Sequence, residues 1–330
     1  LGLAVAIRLP GLWLPLSGDE ATTFWEHASS SWKTLFFQYK GPNQHSLFSF
    51  LSNISIQVFG ENEFSFRLPS LAAGILIIPL TWLAGRLLLK SQSAALLAAF
   101  FVGFSAPLFE SSQQGRGYTL SVALALIIFI AGKTMITVDK GPRGFWCVVL
   151  IMAGLGMVMT LPSNIYFLVG CGAFICFDAY QMNKKEQNKK AVLWVILTVV
   201  IMGVFSTTYL LCIYADLQRG LEIYGVYAAK LEGLSSLVPT FDRSLEVFKA
   251  LTRPWGVSLC LMALYGFWRL RQAGLLLLFL IPFVFNLIMQ VQGPPRSYYY
   301  WAPFIMLFAA HGLIHLLESL TQSLSPRLRS

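Results

Sequence analysis

Charge is what this sequence has least of. Asp, Glu, Lys and Arg make up 12% of its 330 residues, about half of the roughly 25% usual in soluble domains. With 56% hydrophobic residues and a mean hydropathy of +0.65, that shortage excludes a pair of soluble domains and leaves an integral membrane protein. Cysteine is sparse too. Cys147, Cys171, Cys176, Cys212 and Cys260 all lie in apolar runs without metal-site spacing, and their odd number excludes a fully paired disulfide framework. They are expected to be small buried apolar residues. No Gly-rich phosphate loop of the dinucleotide-binding kind is present, so no soluble nucleotide-sugar site is expected. Internal repeats and low-complexity tracts are absent as well.

Long apolar runs are abundant. About twenty apolar residues cross a bilayer as a helix. The runs at 66–89, 93–109, 118–137, 145–161, 163–181, 191–214, 255–270, 273–291 and 299–318 predict nine spans. The 145–181 stretch divides at Leu161-Pro162-Ser163-Asn164, where Pro and Asn break a helix. Leu1–Ile7 is too short to span and is read as the tail of a truncated first membrane helix, which makes about ten spans in all. The fold class expected is all-α, a polytopic bundle forming one membrane domain over residues 1–330.

Lys and Arg orient the bundle. With the loop after the first segment placed outside, thirteen of the 24 basic residues fall on the inner side (Arg86, Lys90, Lys133, Lys140, Arg143, Lys184, Lys185, Lys189, Lys190, Arg269, Arg271, Arg327 and Arg329). Eleven of the fifteen acids fall outside, so the +9 net charge belongs to the inner face. That is the positive-inside pattern and not a nucleic-acid footprint. Two outer loops are long, 11–65 and 215–254. The first sets Trp13, Trp25, Trp32, Phe36, Phe37 and Tyr39 among polar residues, which predicts helices lying in the interface. Loops on a rigid scaffold carry function, so the outer face is the expected working face.

Four outer patches carry the chemistry: Gly18-Asp19-Glu20-Ala21; Asn43-Gln44-His45-Ser46-Leu47-Phe48, followed by Phe59-Gly60 and Arg67-Leu68-Pro69-Ser70; Ser112-Gln113-Gln114-Gly115-Arg116-Gly117-Tyr118; and Pro295-Arg296-Ser297-Tyr298-Tyr299-Tyr300-Trp301. In that order they resemble the membrane-embedded GT-C glycosyltransferases, specifically glycosyltransferase family 39, which holds the protein O-mannosyltransferases and the lipid A aminoarabinose transferase. The resemblance covers residues 1–135 and is supported beyond them by the Arg296 patch. It departs from the family at three places. Ser46 stands in the Pro-Pro segment, Gln114 replaces a Glu, and Ser163-Asn164 stand where a His is often found.

The resemblance implies a bacterial inner-membrane enzyme with its site facing the periplasm or exterior. It would take a sugar from a polyprenyl-phosphate donor and transfer it, with inversion, to a hydroxyl of a lipid, protein or polysaccharide. Asp19 is implied as the base, with Glu20 beside it. One base suffices because the phosphate is already a good leaving group, unlike the two-carboxylate arrangement of glycosidases. Adjacent residues on a helix point about 100° apart, so Asp19 and Glu20 are not expected to share a proton. Taken alone, Gly-Asp-Glu also suits a helix start. Arg116, between two glycines at a helix N-terminus, and Arg296 are expected to bind the donor phosphate, although arginine at a helix end also serves as an interfacial anchor.

Arg67 is expected to pair with Glu61, Glu63 or the Asp19 loop. Asn43, Gln44, His45, Gln114 and Tyr118 are expected to bind substrate or orient the loops, and Gln290 and Gln292 to reach sugar hydroxyls. No cofactor is expected. A divalent cation on Asp19, Glu20 and Glu110 is the alternative, although no local ligand spacing supports it. A transporter or lipid flippase, and a non-catalytic family member in a polysaccharide-assembly complex, are the rival readings. The first would place charge within helix interiors, and these interiors carry very little.

Overall fold

The computed structural model describes residues 1–41, 43–137, 143–186, 189–223, 237–289 and 293–324. Gln290, Gln292, Lys140, Arg327, Arg329 and the 224–236 part of the second outer loop lie outside the described residues. Among those described there is helix and no strand. Among the described residues six helices are long and apolar enough to cross a membrane, or up to eight if each of two bent pairs is one span. The expected count was about ten. The difference lies in Gly2–Trp13 and Ala273–Ile288, which are apolar but short.

After α1 (Gly2–Ala6), the 11–65 loop is a set of short helices: α2 (Gly18–Thr22), a π-helical turn (Thr23–Ala28), α3 (Trp32–Phe37) and α4 (Ser46–Phe59). Trp13, Trp25, Trp32 and Phe37 are exposed along it, as interfacial helices require. The first long span, α5 (Glu63–Leu89), starts where the Asn62 side chain accepts from the Ser65 amide at 2.9 Å, an N-cap. Its C-terminus turns at Lys90, which has φ 55°, and Ser91 caps the returning helix α6 (Gln92–Gly103).

The single 93–109 span expected from sequence is instead two helices. α6 and α7 (Ala106–Ser112) meet at a bend of 57°. A bend frees carbonyls that need donors. The fully buried Arg8 supplies one, donating to Gly103 O at 2.9 Å and to Ala4 O at 2.7 Å.

Next comes α8 (Tyr118–Thr137), the central helix. Its span is 78% buried, against 28–50% for the other five. Around it pack α9 (Arg143–Thr160), α10 (Ile165–Glu186) and α11 (Lys189–Cys212). The break expected in 145–181 falls at the Leu161–Asn164 turn, where Asn164 Nδ2 donates to Met157 O at 2.9 Å and Ser121 Oγ at 2.8 Å. The second outer loop contributes α12 (Tyr214–Ile223) and α13 (Leu237–Leu251). Asp216 accepts from the Tyr39 amide at 3.0 Å, which ties α12 to the first loop.

The chain closes with α14 (Gly256–Leu270), α15 (Leu277–Met289) and α16 (Ala302–Leu324), the last entered through a 3-10 turn at Pro295–Trp301. At the end of the bundle away from Arg116, Lys133 and Asp178 pair at 2.7 Å across α8 and α10.

Candidate active site

The site is built where the N-termini of α2, α5 and α8 meet the Pro295–Trp301 turn. Its foundation is Glu20. One of its oxygens accepts from Arg67 Nε at 2.8 Å and from the Gly115 amide at 2.6 Å. The other accepts from Arg67 Nη2 at 2.9 Å and from the Ser17 amide at 2.9 Å. Arg67 directs its remaining N–H groups at the carbonyls of Gly11, Leu12, Leu14 and Pro15. The pair is buried on both sides and joins α2, α5 and the start of α8. Burial pushes the Glu20 carboxyl up, but the bonds from Arg67, Gly115 and Ser17 and the Arg67 charge outweigh it, so the net shift is downward.

Glu20 is therefore a strut whose acceptor positions are filled by protein. It is poorly placed for the catalytic role expected of it from sequence. Arg67 pairs with the Asp19 loop, and not with Glu61 or Glu63.

Asp19 faces the other way. Its side chain is 46% exposed, and Oδ2 accepts from Arg296 Nη2 at 3.0 Å. Among the described residues Oδ1 has no protein donor.

Arg116 is buried. Its Nη1 donates to Asp19 O (3.2 Å), Thr23 Oγ1 (3.2 Å) and Asn43 Oδ1 (3.1 Å), and its Nη2 donates to Asn43 Oδ1 (3.1 Å) and Tyr118 Oη (3.3 Å). None of these acceptors carries a charge, and Nε has no partner among the described residues. The Tyr118 ring has Arg116 Cζ 5.7 Å and Arg296 Cζ 5.5 Å from its centroid, within cation–π range. Two guanidiniums thus converge on one ring, and among the described residues Arg296 faces a carboxylate while Arg116 faces neutral acceptors.

The glycines flanking Arg116 are there for close approach. A Cβ on Gly115 would strike the Phe66 ring, and one on Gly117 would strike Thr160 and crowd His45. Without a side chain, Gly115 brings its amide to Glu20.

The remaining residues divide. Asn43 belongs to the Arg116 cluster. Gln44 holds its own loop, donating to Leu35 O at 3.1 Å and Gln38 O at 2.6 Å and accepting from the Lys40 amide at 2.8 Å, which leaves no evident reach toward a sugar. His45 is fully buried edge-on to Tyr118, with ring centroids 5.1 Å apart, and neither ring nitrogen has a partner among the described residues. Burial first, then Arg116, Arg296 and His27, lower its pKa well below the usual imidazole value.

Gln114 is exposed at the rim. Glu110 pairs with Arg253 at 3.1 Å. Glu20, Glu110 and Asp19 each face a different arginine, so the three carboxylates expected as an alternative cation site do not meet. Among the described residues no group of three or more His, Cys, Asp or Glu could hold a metal.

Sequence reasoning missed two residues. Thr23 is fully buried with its hydroxyl on Arg116. His27 is buried nearby and held down to about 4 by burial, Lys40 and Arg116. Thr23 lies four residues after Asp19, hence on the same helical face, and that spacing was the available signal.

Residues 44–211, half of the chain, match the family model described as dolichyl-phosphate-mannose-protein mannosyltransferase. The chain belongs to this family. No curated protein matches it. Among solved structures, ArnT from Cupriavidus metallidurans in the apo state is similar, with a TM-score of 0.60 and 15% identity over 94% of this chain and 58% of ArnT. The same enzyme bound to undecaprenyl phosphate gives a TM-score of 0.58 and 16% identity, over 94% of this chain and 59% of that one. The Archaeoglobus fulgidus oligosaccharyltransferase, with an acceptor peptide tethered, gives 0.53 and 14% identity over 98% of this chain and 50% of its own. The mannosyltransferase-family chain thus has the GT-C fold of a membrane glycosyltransferase, and it spans between half and three-fifths of these relatives' length.

Proposed function

We propose that the protein is an inverting glycosyltransferase that takes a sugar from a polyprenyl-phosphate donor on the extracytoplasmic face of a bacterial inner membrane. The observation that carries this is the pair of guanidiniums at Tyr118, of which the buried Arg116 is bonded, among the described residues, to neutral groups alone, while Arg296 meets the Asp19 carboxylate. A buried arginine bonded only to neutral groups favours an anion, and a guanidinium fork suits phosphate. Undecaprenyl phosphate is the ligand of the similar ArnT structure. The excess of Lys and Arg on the opposite side supports the outer placement.

In the proposed step the acceptor O–H gives its proton to the Asp19 carboxylate. The acceptor oxygen bonds to the anomeric carbon as that carbon's bond to the phosphate oxygen breaks. The polyprenyl phosphate leaves with the electron pair, its charge met by Arg116 and Arg296. Mannose, glucose, an amino sugar or a pentose all suit this chemistry, as do lipid, protein or polysaccharide hydroxyls.

Binding of undecaprenyl phosphate to the purified protein tests the phosphate site. Arg296 is only partly buried, so Arg296→Met should fold and weaken binding by about 10–100-fold, the worth of a hydrogen bond to a charged group. Unchanged affinity would remove Arg296 from the site.

A further inference from the structure

We infer that Thr23 is a positioning residue for this transfer, tying the backbone of the Asp19 helix to the Arg116 guanidinium. The inference rests on the assignment of Asp19 as base and Arg116 as phosphate ligand. The Thr23 side chain is fully buried. Its Oγ1 lies 3.0 Å from Asp19 O, 3.2 Å from Asn43 O and 3.2 Å from Arg116 Nη1. A hydroxyl has one proton to give and two lone pairs. It donates to the two carbonyls in turn or shares its proton between them, and it accepts from the guanidinium.

Back-bonding of a helical threonine to its i−4 carbonyl is common and has no functional meaning alone. What separates Thr23 is the cation on the other side of the oxygen. Arg116 also bonds Asp19 O and Asn43 Oδ1 directly, so the three segments close into a ring of hydrogen bonds with Thr23 at its centre. Thr23 also opens the π-helical turn Thr23–Ala28. Such turns recur at functional sites because the wider winding re-aims side chains. Here the hydroxyl of residue 23 meets the guanidinium of residue 116 while its carbonyl partner remains residue 19.

Asp19 presents its carboxylate to Arg296 and its carbonyl to Thr23 and Arg116. Without the hydroxyl, Arg116 keeps its direct bond to Asp19 O and its other acceptors, but the second tie, through Thr23, is gone, and the α2 backbone and the guanidinium are held in register by one long bond instead of two. Misplacement of reacting groups by about 1 Å can cost about 10²-fold in rate. Arg296 retains the phosphate in the ground state, so the loss should fall on turnover and not on binding.

The test uses Thr23→Val, which keeps shape and β-branching, and Thr23→Ser, which keeps the hydroxyl. Sugar transfer from labelled polyprenyl-phosphate sugars is measured per folded molecule alongside undecaprenyl phosphate affinity, with Asp19→Asn in parallel. Thr23→Val should lower kcat by about tenfold or more with affinity within about threefold, and Thr23→Ser should restore most of the rate. If Thr23→Val does not fold, Thr23→Ala replaces it with the same expectation. Native turnover in Val or Ala, or a Ser variant as slow as Val, would overturn the inference while Asp19→Asn remained inactive. An Asp19→Asn variant as active as native protein, or no transfer by native protein from any donor, would overturn the functional proposal and this inference together.

Discussion

A carboxylate that accepts four hydrogen bonds inside a protein has no free acceptor for a proton in transit, and Glu20 is such a group. Its neighbour Asp19, in the same helical turn, has one oxygen with no donor among the described residues. His27 and His45 are buried close by and held neutral, and their linkage to pH has a definite sign. An unfolded histidine titrates near 6.5, while His27 in the folded protein titrates at about 4 and His45 well below the usual value. Below about pH 6.5 the unfolded chain takes up protons that the folded chain refuses, so stability falls with pH. The contribution of His27 is present above 6.5 and lost by about 4. Glu20, shifted downward from 4.5, has its contribution above 4.5 and loses it as pH falls through the folded value.

The stability of the solubilised protein should therefore decrease as pH falls below about 6.5, with His27 contributing up to about 1.4 kcal/mol per pH unit until about pH 4 and His45 acting in the same direction. His27→Gln should make the slope shallower. A flat profile would contradict the burial described here. At this scale the residue types of the site were legible in the sequence, since Asp19, Arg116 and Arg296 do converge. Partner choice was not: whether Glu20 turns toward Arg67 or toward substrate depends on α5 crossing α2, and no local spacing encodes that.

Helices in lipid associate through packing, and small residues let their backbones approach. α14 and α16 show this. A Cβ on Gly266 would collide with the Phe308 carbonyl and the Gly312 amide, and one on Gly312 would collide with the Met262 carbonyl. These are backbone atoms and cannot swing aside. Gly266→Ala should cost about 1–3 kcal/mol, the range for overpacking, and lower the melting temperature in detergent. A neutral effect would mean the two helices separate without penalty.

The spans were readable because an apolar run of fixed length is a direct physical requirement of the bilayer. The bends were less so. The 57° break between α6 and α7 leaves the composition greasy on both sides, so hydropathy cannot see it, whereas the 99° break between Ser244–Leu251 and α14 falls where the 215–254 loop was expected to give way to the 255–270 span. The break near Pro162 was visible because proline and asparagine mark it.

On the scale of the whole molecule, α8 organises the site. It is the most buried of the candidate spans among the described residues, and Tyr118 at its start, with Arg116 just before it, lies between the first loop and the Pro295–Trp301 turn. Positions 277 residues apart, Asp19 and Arg296, meet across it. The matched 44–211 region brings α8 and Arg116 but neither Asp19 nor Arg296, so the proposed chemistry depends on both ends of the chain closing on its centre.

The measurement that tests this account most directly is sugar transfer from labelled polyprenyl-phosphate sugars to a membrane extract, comparing native protein with Asp19→Asn. The account predicts a loss of about 10²-fold or more, the usual worth of a positioned base, with undecaprenyl phosphate binding retained. Equal transfer by the two proteins would contradict it.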